Sequence, residues 1–458
     1  MSARKKNTGW LWHMVDSLEG DKVIWMIALL LIMISILAIS SSTSLLAIQT
    51  GSSRGAIIQE QLLIAAIGLG VIILLYKIKA IGLFRMFAQL GYVLSLAGLL
   101  ILVSHADLGF IKAQNLNGAT RTLFIFGRVQ LHVFEFVKIF MIMYLAWAVD
   151  AFKKDAFKTV NSLSRKPQYA FLAKPKWKLF IYIYFPIISI SVLILTGSVS
   201  STLFIGGMMF ATILMGGIKL KSVVPYALVA VVGFVLCIGL YSMSGGEMFS
   251  RFGTAVGRVT RASEDPEQKL LSLKRGSIEF QEALDEVKQP ISAKIAISEG
   301  GIFGKGPGRS TQRYVVPIMF EDYMFSFIVE EYGLLGALIV LILYCSLVAR
   351  GAIIVRNCEG TFAKTAVAGL VLLISGQAFM HMMINVDLGP LTGQTLPMIS
   401  HGNSSFLAFS MAFGIILSVS RMAKKRIDRE TEKAVPIVAQ EPDEIRESLG
   451  ELEQLDNQ

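Results

Sequence analysis

The sequence predicts an all-α polytopic membrane protein of about ten transmembrane helices, with both termini in the cytoplasm. Of its 458 residues, 54% are hydrophobic and only 17% are charged, and the mean hydropathy is +0.61. A soluble protein would carry about 25% charged residues. Apolar runs of about 20 residues recur along the chain, each long enough to cross a hydrocarbon core about 30 Å thick. These observations predict a helical membrane bundle and exclude a soluble globular protein.

The spans follow from the apolar runs. They are expected at residues 23–41, 57–77, 81–103, 133–150, 178–197, 201–218, 223–242, 323–349, 363–385 and 403–420. With the N-terminus placed in the cytoplasm, Lys and Arg concentrate in the inside loops and are scarce in the short outside loops, which is the orientation that membrane proteins prefer. The net charge of +10 therefore reflects membrane orientation and does not indicate binding to nucleic acid.

Three parts make up the expected organisation. A cytoplasmic segment at residues 1–22 precedes a membrane domain at 23–420, which includes a large extracytoplasmic loop at 243–322. An amphipathic helix is expected in that loop near residues 266–287. The tail at 421–458 is acidic and lacks aromatic residues, so we expect it to be cytoplasmic and disordered. The three cysteines lie in apolar runs or a short basic loop and suggest neither a disulfide nor a zinc site.

The stretch over residues 300–336 is the most informative part of the chain. A glycine-rich polar run, which a helix would not tolerate, is followed by a proline, two carboxylates and a long apolar helix with two more acids. Carboxylates in or at the mouth of a membrane helix are costly, so a functional role is their default interpretation. The residues concerned are Gly300, Gly301, Gly304, Gly306, Gly308, Pro317, Glu321, Asp322, Glu330 and Glu331.

Several of these residues also have a purely structural explanation. Glycine N–H groups can approach an anion closely, but glycines also simply form loops. Asp322 can act in chemistry, or it can merely cap the N-terminus of the long helix. Capping does not reach Glu330 and Glu331. We therefore expect these two acids to have cationic partners such as Arg121 or Lys138.

A second polar cluster precedes the fourth span and enters it. Its members are Asn117, Gly118, Arg121, Gly127, Glu135 and Lys138. Glu135 and Lys138 are three residues apart and therefore share a helical face. They either form a buried pair that neutralises itself, or Lys138 acts with Arg121 to present positive charge to a phosphate-bearing lipid.

A third polar cluster runs from Gly389 to Ser405 and includes the hydroxyl residues Thr392, Ser400 and Ser404. Its prolines and glycines predict irregular backbone at membrane depth, which survives only inside protein or facing a cavity. The alternative is a plain surface loop, because Pro and Gly also form ordinary turns.

The three clusters, taken in order, resemble the signature of the SEDS family (shape, elongation, division, sporulation), whose members FtsW and RodA polymerise peptidoglycan. The matching patterns are Asn-Gly-Ala-x-Arg with Glu-x-x-Lys, then Gly-x-Gly-x-Gly with Pro-x-x-x-x-Asp and Glu-Glu-x-Gly-x-x-Gly, and finally Pro-x-Thr-Gly-x-x-Leu-Pro. The resemblance covers roughly residues 20–425. The polar N-terminal extension, the charged tail and the Gly-Asp-Lys-x-x-Trp entry to the first span resemble the FtsW branch more than the RodA branch.

The chain departs from the family pattern at two places. His132, Val133 and Phe134 replace the family's Gln-Pro-Ser, and His401 and Asn403 replace a tyrosine and a glycine. The first departure leaves the Glu135–Lys138 register intact. Contacts that the family makes through the replaced glutamine and serine are not expected here.

The resemblance implies a peptidoglycan glycosyltransferase that polymerises lipid II, the disaccharide-peptide on undecaprenyl pyrophosphate, during septal cell-wall synthesis. It implies action at the extracytoplasmic side of a bacterial inner membrane, with Asp322 as the general base. The substrate-binding candidates are Arg121, Lys138, Glu135, Asn117, Gly304, Gly306, Gly308, Arg309, Glu330, Thr392, Ser400 and Ser404. No cofactor is evident, although Mg²⁺ bridging a carboxylate and the pyrophosphate is compatible with this chemistry.

The resemblance also implies partners: a class B penicillin-binding protein, which is a transpeptidase, and other division proteins. Small residues allow close helix approach in lipid, so the partner's transmembrane helix is expected on spans eight and nine, at Gly333, Gly336, Ala337, Ala366, Gly369 and Gly376. The alternative for these residues is internal packing. For the whole chain, three alternative functions remain open: a RodA-like elongation polymerase, a lipid II flippase, and a division scaffold without catalysis.

Overall fold

The computed structural model describes residues 19–42, 51, 53–107, 109, 111–116, 119–126, 129–243, 272–273, 275, 277–314, 319–389 and 392–425. Its helices are α1 (Lys22–Ser42), α2 (Arg54–Lys77), α3 (Ile81–Val103), α4 (Val133–Lys153), α5 (Lys158–Leu163), α6 (Pro175–Leu179), α7 (Phe185–Leu195), α8 (Val199–Met215), α9 (Leu220–Met243), α10 (Ile278–Gly300), α11 (Met319–Asp322), α12 (Met324–Asn357), α13 (Thr361–Asn385) and α14 (Asn403–Lys425). Short 3₁₀ helices lie at Pro167–Ala173 and Gln312–Tyr314, and a π-helical turn at Phe180–Tyr184 joins α6 to α7.

Each of the ten expected spans coincides with a helix of the structure. Seven helices of the described chain are long and apolar enough to cross a membrane: α1, α2, α3, the continuous α6–α7 unit, α12, α13 and α14. Helix α8 and the first part of α9 are apolar but shorter, and α4 carries four charged residues that lower its hydropathy. The chain is therefore a multi-pass helical membrane protein. The count of ten spans and the side of each terminus stay predictions.

Helices α4 and α13 lie inside the bundle, which explains why most of their residues are buried. Helix α13 packs against α4, α8 and α12. At Gly369 an added Cβ would lie 2.6 Å from Ile142 of α4 and 3.0 Å from Thr212 of α8. Ala366 is also fully buried. The expected partner surface is therefore wrong for Gly369 and Ala366, because these small residues serve packing within the bundle.

A three-stranded antiparallel sheet occupies the loop between α3 and α4. Its strands are β1 (Ile111–Leu116), β2 (Ala119–Ile125) and β3 (Val129–His132), in the order β1-β2-β3. Strand β3 runs directly into α4, so the sheet is fixed to the start of that helix. This sheet was not expected from the sequence, where the loop reads as polar and glycine-bearing.

Helix α10 lies in the described part of the large loop, later in the chain than the helix that was expected there. It begins after Ser277, whose hydroxyl accepts the N–H of Phe280 at 3.1 Å, and it ends where Gly301 adopts φ +53°. The prediction of a helix near 266–287 is therefore wrong in its bounds, because the N-cap and the glycine stop fix different ends. Residues 266–271 lie outside the described residues.

An ion pair between Asp21 and Arg350 stabilises the end of the bundle where α1 begins. The Asp21 carboxylate accepts the N–H groups of Val23 and Ile24 at the start of α1. It also accepts two hydrogen bonds from Arg350 of α12, at 2.8 and 2.5 Å. The N–H of Asp21 donates to Ser420 of α14. Through its carboxylate and its backbone N–H, Asp21 thereby joins three helices at the end opposite to the three polar clusters.

Candidate functional site

Asp322 lies at the end of α11, one residue before the N-cap of α12, and its side chain is half-buried. The cap residue Tyr323 makes no side-chain hydrogen bond to the helix. Instead, residues of α13 satisfy the first amides of α12. The N–H of Ser326 donates to Asn385 Oδ1 at 2.9 Å, and the N–H of Phe325 points to His381 Nε2 at 3.4 Å. At these two amides the capping role expected as the alternative for Asp322 belongs to α13.

The backbone on both sides of Asp322 is held by neighbouring segments. Asn385 Nδ2 donates to the Asp322 carbonyl oxygen at 3.1 Å. A Cβ added at Gly393 would lie 3.9 Å from Asp322 Oδ2, and Gly393 has φ +65°, which favours glycine. The third polar cluster therefore lies beside the Asp322 carboxylate, as expected for two clusters on the same side of the membrane.

The third cluster is irregular backbone packed inside the protein. Leu396 and Ile399 are almost fully buried. Ser400 Oγ donates to the Glu321 carbonyl at 2.8 Å and accepts the N–H of Leu396. The N–H of His401 donates to the carbonyl oxygen of Phe320 at 2.9 Å. The surface-loop alternative is thereby excluded for this part, and Ser400 acts within the protein by holding α11.

Lys138 and Glu135 form the expected pair, with Lys138 Nζ 2.7 Å from Glu135 Oε1. Lys138 is only 2% exposed. Its ammonium also donates to Gln377 Oε1 at 2.7 Å and to Gln394 Oε1 at 3.0 Å. Because an ammonium has three protons, Lys138 has none left for a pyrophosphate in this arrangement. Glu135 Oε2, by contrast, is buried without a hydrogen-bond partner among the described residues.

A chain of hydrogen bonds connects this pair to the start of α12. The Gln394 carbonyl oxygen lies 2.8 Å from His381 Nδ1, and the other ring nitrogen of His381 faces α12. Sequence reasoning missed three of the residues in this network: Gln377, His381 and Asn385. They recur every four residues in an otherwise apolar span, so they share one helical face. That spacing is the signal that could have found them.

Glu330 is fully buried and is bonded to the segment that precedes α11. Its Oε1 accepts from Lys305 Nζ at 2.7 Å and from the N–H of Thr311 at 2.8 Å. Its Oε2 accepts from Ser310 Oγ at 2.5 Å. The expectation of Arg121 or Lys138 as the cation is therefore wrong, because the glycine turns bring Lys305 back over α12. The prediction that Glu330 binds substrate is also wrong for this arrangement, because its side chain is fully buried.

Lys305 itself lies outside the membrane-spanning helices and is partly exposed. Partial burial alone would lower the pKa of its ammonium. Its hydrogen bonds to Glu299 and Glu330 outweigh that effect and raise the pKa of Lys305 above its ordinary value. Lys305 therefore stays charged as the counter-ion of Glu330.

Glu331 is also fully buried, and its carboxylate receives the N–H of Gly308 at 3.0 Å and the hydroxyl of Ser41 at 2.6 Å. The other two glycine amides are bonded to carbonyl oxygens. Gly306 donates to the Glu331 carbonyl, and Gly304 donates to a carbonyl at the end of α10. Of the three glycine amides, only that of Gly308 binds an anion, and this anion is a carboxylate of the protein itself. In this arrangement all three amides are bonded within the protein, so none of them is left to bind a substrate phosphate.

The remaining candidates divide into placed and unplaced residues. Ser404 Oγ accepts the N–H of His132 at 3.0 Å, and this hydrogen bond connects strand β3 to α14. Thr392 Oγ1 lies 3.8 Å from a methionine sulfur of α13. Arg309 is exposed. Arg121 lies in β2, but its side chain and the whole of Asn117 fall outside the described residues, so their roles stay predictions.

Comparison with known proteins gives a family and several relatives. The model of the cell cycle protein family FTSW_RODA_SPOVE matches residues 21–425. The probable peptidoglycan glycosyltransferase FtsW of Bacillus subtilis (strain 168) is 27% identical over 330 residues, which are 71% of this chain and 73% of that protein. The protein of the same name from Caulobacter vibrioides is 30% identical over 308 residues, or 67% of each chain. The peptidoglycan glycosyltransferase MrdB of Escherichia coli (strain K12) is 35% identical over 131 residues, which are 28% of this chain and 35% of MrdB.

Two solved structures have a similar fold. A chain from work on the coordination of polymerization and crosslinking by a peptidoglycan synthase complex aligns with a TM-score of 0.59 at 18% identity, covering 88% of this chain and 98% of that one. The rod shape determining protein RodA of Thermus thermophilus aligns with a TM-score of 0.53 at 19% identity, covering 89% and 98%. At these identities the likeness concerns the fold.

Proposed function

The chain belongs to the FtsW/RodA/SpoVE family of cell cycle proteins, and we propose that it is a peptidoglycan glycosyltransferase that polymerises lipid II during septal cell-wall synthesis. Its relatives from Bacillus subtilis and Caulobacter vibrioides carry the name of a peptidoglycan glycosyltransferase over two thirds or more of their length. The observation that carries the proposal is the position of Asp322. It is a half-buried carboxylate beside the third cluster, at a helix start whose amides at Phe325 and Ser326 are bonded by another helix.

The proposed reaction needs a base and a way to stabilise the leaving group. The acceptor 4-hydroxyl oxygen attacks the anomeric carbon of the donor, and the bond from that carbon to the pyrophosphate oxygen breaks. The hydroxyl proton passes to the Asp322 carboxylate, and undecaprenyl pyrophosphate leaves as an anion. Positive charge near the pyrophosphate lowers the barrier. Arg121 and Arg309 are the proposed sources of that charge.

Lys138 takes a different role from the one expected at the outset. Its three protons are bonded within the bundle, so it fixes Glu135, Gln377 and Gln394 in place. Glu135 keeps one carboxylate oxygen without a described partner. Because the Glu135 side chain is 15% exposed and that of Lys138 only 1%, Glu135 is the proposed substrate contact of the pair, and Lys138 is the residue that orients it.

A divalent cation is compatible with the proposed site. Within the described residues no group of three His, Cys, Asp or Glu side chains is arranged to hold a metal ion. Mg²⁺, however, is commonly bound by one or two carboxylates together with substrate phosphates. Asp322 would hold such an ion jointly with the pyrophosphate, and the ion would stabilise the negative charge of the leaving group.

A RodA-like role in elongation is the second candidate, and the match to MrdB favours it over 131 residues. That role uses the same reaction, so the chemistry does not separate the two. A flippase differs, because it moves lipid II without making a bond. Incubation of the purified protein with purified lipid II tests the proposal, with glycan products resolved by gel electrophoresis. Glycan strands are expected; transfer of lipid II across vesicles without any strand would favour the flippase.

We propose the membrane side and the partner on separate grounds. The cationic loops support an orientation in which the three polar clusters face outwards from a bacterial inner membrane. A class B penicillin-binding protein at the septum is the proposed partner, together with other division proteins. Since Gly369 and Ala366 pack inside the bundle, the part of the expected surface proposed for its transmembrane helix is the exposed face of α12, which includes Leu334, Leu338 and Ile342.

A further inference from the structure

Two adjacent carboxylates, Glu330 and Glu331, lie fully buried in the helix that begins at Asp322, and the proposed reaction uses neither of them. Carboxylates at such positions are costly unless they are paired and hydrogen-bonded. Both side chains are 0% exposed. Their hydrogen bonds show what compensates the cost, because most of the donors lie on one segment of the chain. We call this segment, residues 301–314, the strap.

Glu330 is bonded to four residues of the strap, and one of these bonds comes from the N–H of Gln312 at 3.4 Å. Lys305 supplies a charged donor, Thr311 supplies its N–H and its hydroxyl, and Ser310 supplies its hydroxyl. A charged donor and a carboxylate form the stronger class of hydrogen bond. Glu330 therefore fixes the second half of the strap against α12.

Glu331 fixes the middle of the strap and joins it to a second helix. Its Oε1 accepts the N–H of Gly308 at 3.0 Å and the hydroxyl of Ser41, at the end of α1, at 2.6 Å. Ser41 Oγ is itself 3.1 Å from the N–H of Gly308. The strap, α1 and α12 thus meet at one carboxylate.

The first half of the strap lies in backbone contact with an interruption in α12. Gly333 has φ +67° inside that helix. A Cβ there would lie 2.2 Å from the Ile302 carbonyl oxygen, and a Cβ at Gly304 would lie 2.3 Å from the Glu331 carbonyl oxygen. Glycine is therefore required on both sides of the contact, and the strap has no room to shift along the helix.

The strap leads to Asp322, which stands eight residues after Tyr314, the last residue of the strap. Helix α12 therefore holds the chain between Tyr314 and Asp322 at both ends. The strap is bonded to Glu330 and Glu331 of α12, and Asp322 lies next to the start of the same helix. We propose that Glu330 and Glu331 are positioning residues that hold the strap on α12 and so fix the Asp322 carboxylate where it takes the acceptor proton. This inference rests on the proposed function.

The test combines hydrogen exchange with kinetics on the full-length protein in lipid nanodiscs. Glu330→Gln removes the negative charge that binds the strap. Thr311→Val removes one hydroxyl at an exposed position, together with its contacts to Glu330, Lys305 and Glu299. Glu299→Gln is the matched control, because Glu299 contacts the same Lys305 from a side chain that is 44% exposed. Exchange is read on peptides that cover the strap and Asp322, and kcat and KM are measured with purified lipid II.

In Glu330→Gln, exchange of the strap peptides should rise roughly ten-fold or more, as expected for the loss of a charged hydrogen bond. The same variant should lose kcat by roughly ten-fold while KM changes little, since a base that is out of place affects turnover more than binding. Thr311→Val should show smaller changes in the same direction. Glu299→Gln should match the wild type in both measurements.

Several results would overturn the inference. Unchanged exchange in Glu330→Gln would mean that the carboxylate does not hold the strap, whatever the activity. Faster exchange with wild-type kcat would mean that the strap does not position Asp322. A raised KM with unchanged exchange would make Glu330 a substrate contact. If Glu330→Gln does not fold, the same criteria are applied to Thr311→Val. If the wild type makes no glycan, the proposed function is wrong, while hydrogen exchange still shows whether these side chains hold the strap.

Discussion

Asn385 Oδ1 accepts the N–H of Ser326 at 2.9 Å, so a side chain of α13 caps α12 at the helix start next to Asp322. The same amide donates through Nδ2 to the Asp322 carbonyl oxygen. One side chain therefore supports the helix start and the backbone of the proposed base. This relationship assigns a function to a polar residue in an apolar span that sequence reasoning passed over.

Replacing this residue should weaken both the helix start and the site. Asn385→Leu keeps the number and branching of the side-chain heavy atoms but leaves the Ser326 amide without its acceptor, which costs about 1–3 kcal/mol in a buried position. We expect a lower midpoint of thermal unfolding in detergent and a lower rate of glycan polymerisation. Ser326→Ala is the control, because it removes only the hydroxyl bond to Asn385. Equal unfolding midpoints for Asn385→Leu and wild type would contradict the cap.

Lys138 and Glu135 should behave as a coupled pair. Lys138→Ala strands the Glu135 carboxylate in a buried site, at a cost of roughly 3–5 kcal/mol. We expect lower stability and lower activity, measured by thermal unfolding and by polymerisation of lipid II. Adding Glu135→Gln should restore part of the stability but not the activity, since Glu135 is the proposed substrate contact. Full recovery of activity in the double variant would make the pair purely structural.

Two glycines with nearly the same positive φ angle allow the effect of steric contact to be separated from that of backbone strain. Gly304 and Gly308 have φ +77° and +76°, but only Gly304 has backbone atoms where a Cβ would stand, the nearest at 2.3 Å. Each Ala variant carries the strain of a left-handed residue, about 1–2 kcal/mol. Gly304→Ala should destabilise the protein well beyond that value, as judged by thermal unfolding. Similar losses in Gly304→Ala and Gly308→Ala would argue against the contact between the strap and α12.

Removal of divalent cations tests the proposed sharing of an ion by Asp322 and the pyrophosphate. Chelation with EDTA should lower the rate of polymerisation, and added Mg²⁺ should restore it, because the leaving group would lose its counter-charge. The measurement is glycan formation from lipid II against free Mg²⁺ concentration. Full activity in EDTA would leave the cationic side chains alone to stabilise the leaving group.

The helices of this chain could be predicted from the sequence, since each of the ten expected spans coincides with one. Apolar length decides a membrane helix locally, so no tertiary information is needed. The sheet between α3 and α4 was not predicted, because the sequence of residues 104–132 is rich in polar residues and glycines. Strand β2 nevertheless contains three β-branched residues and one aromatic residue, Thr120, Thr122, Ile125 and Phe124, which favour a strand.

The site was predicted in part. The Glu135–Lys138 pair follows from their spacing of three residues, and it is present. The partner of Glu330 was not predictable in the same way, because it depends on a turn of glycines that reverses the chain and returns Lys305 to α12. Likewise, the protons of Lys138 are taken by Gln377 and Gln394, which are more than 200 residues away in the sequence. Such long-range pairings come from packing, which local patterns do not encode.

Substitution of Asp322 tests the central claim most directly. Asp322→Asn keeps the shape of the side chain but cannot accept a proton at neutral pH, and a general base contributes about 10²–10⁴-fold to a rate. Glu321→Gln is the matched control, because it neutralises the adjacent carboxylate, whose side chain is 42% exposed. The measurement is the initial rate of glycan polymerisation from purified lipid II by folded, monodisperse protein. The account predicts a loss of at least about 100-fold in Asp322→Asn and a rate close to wild type in Glu321→Gln; a near wild-type rate in Asp322→Asn would contradict it.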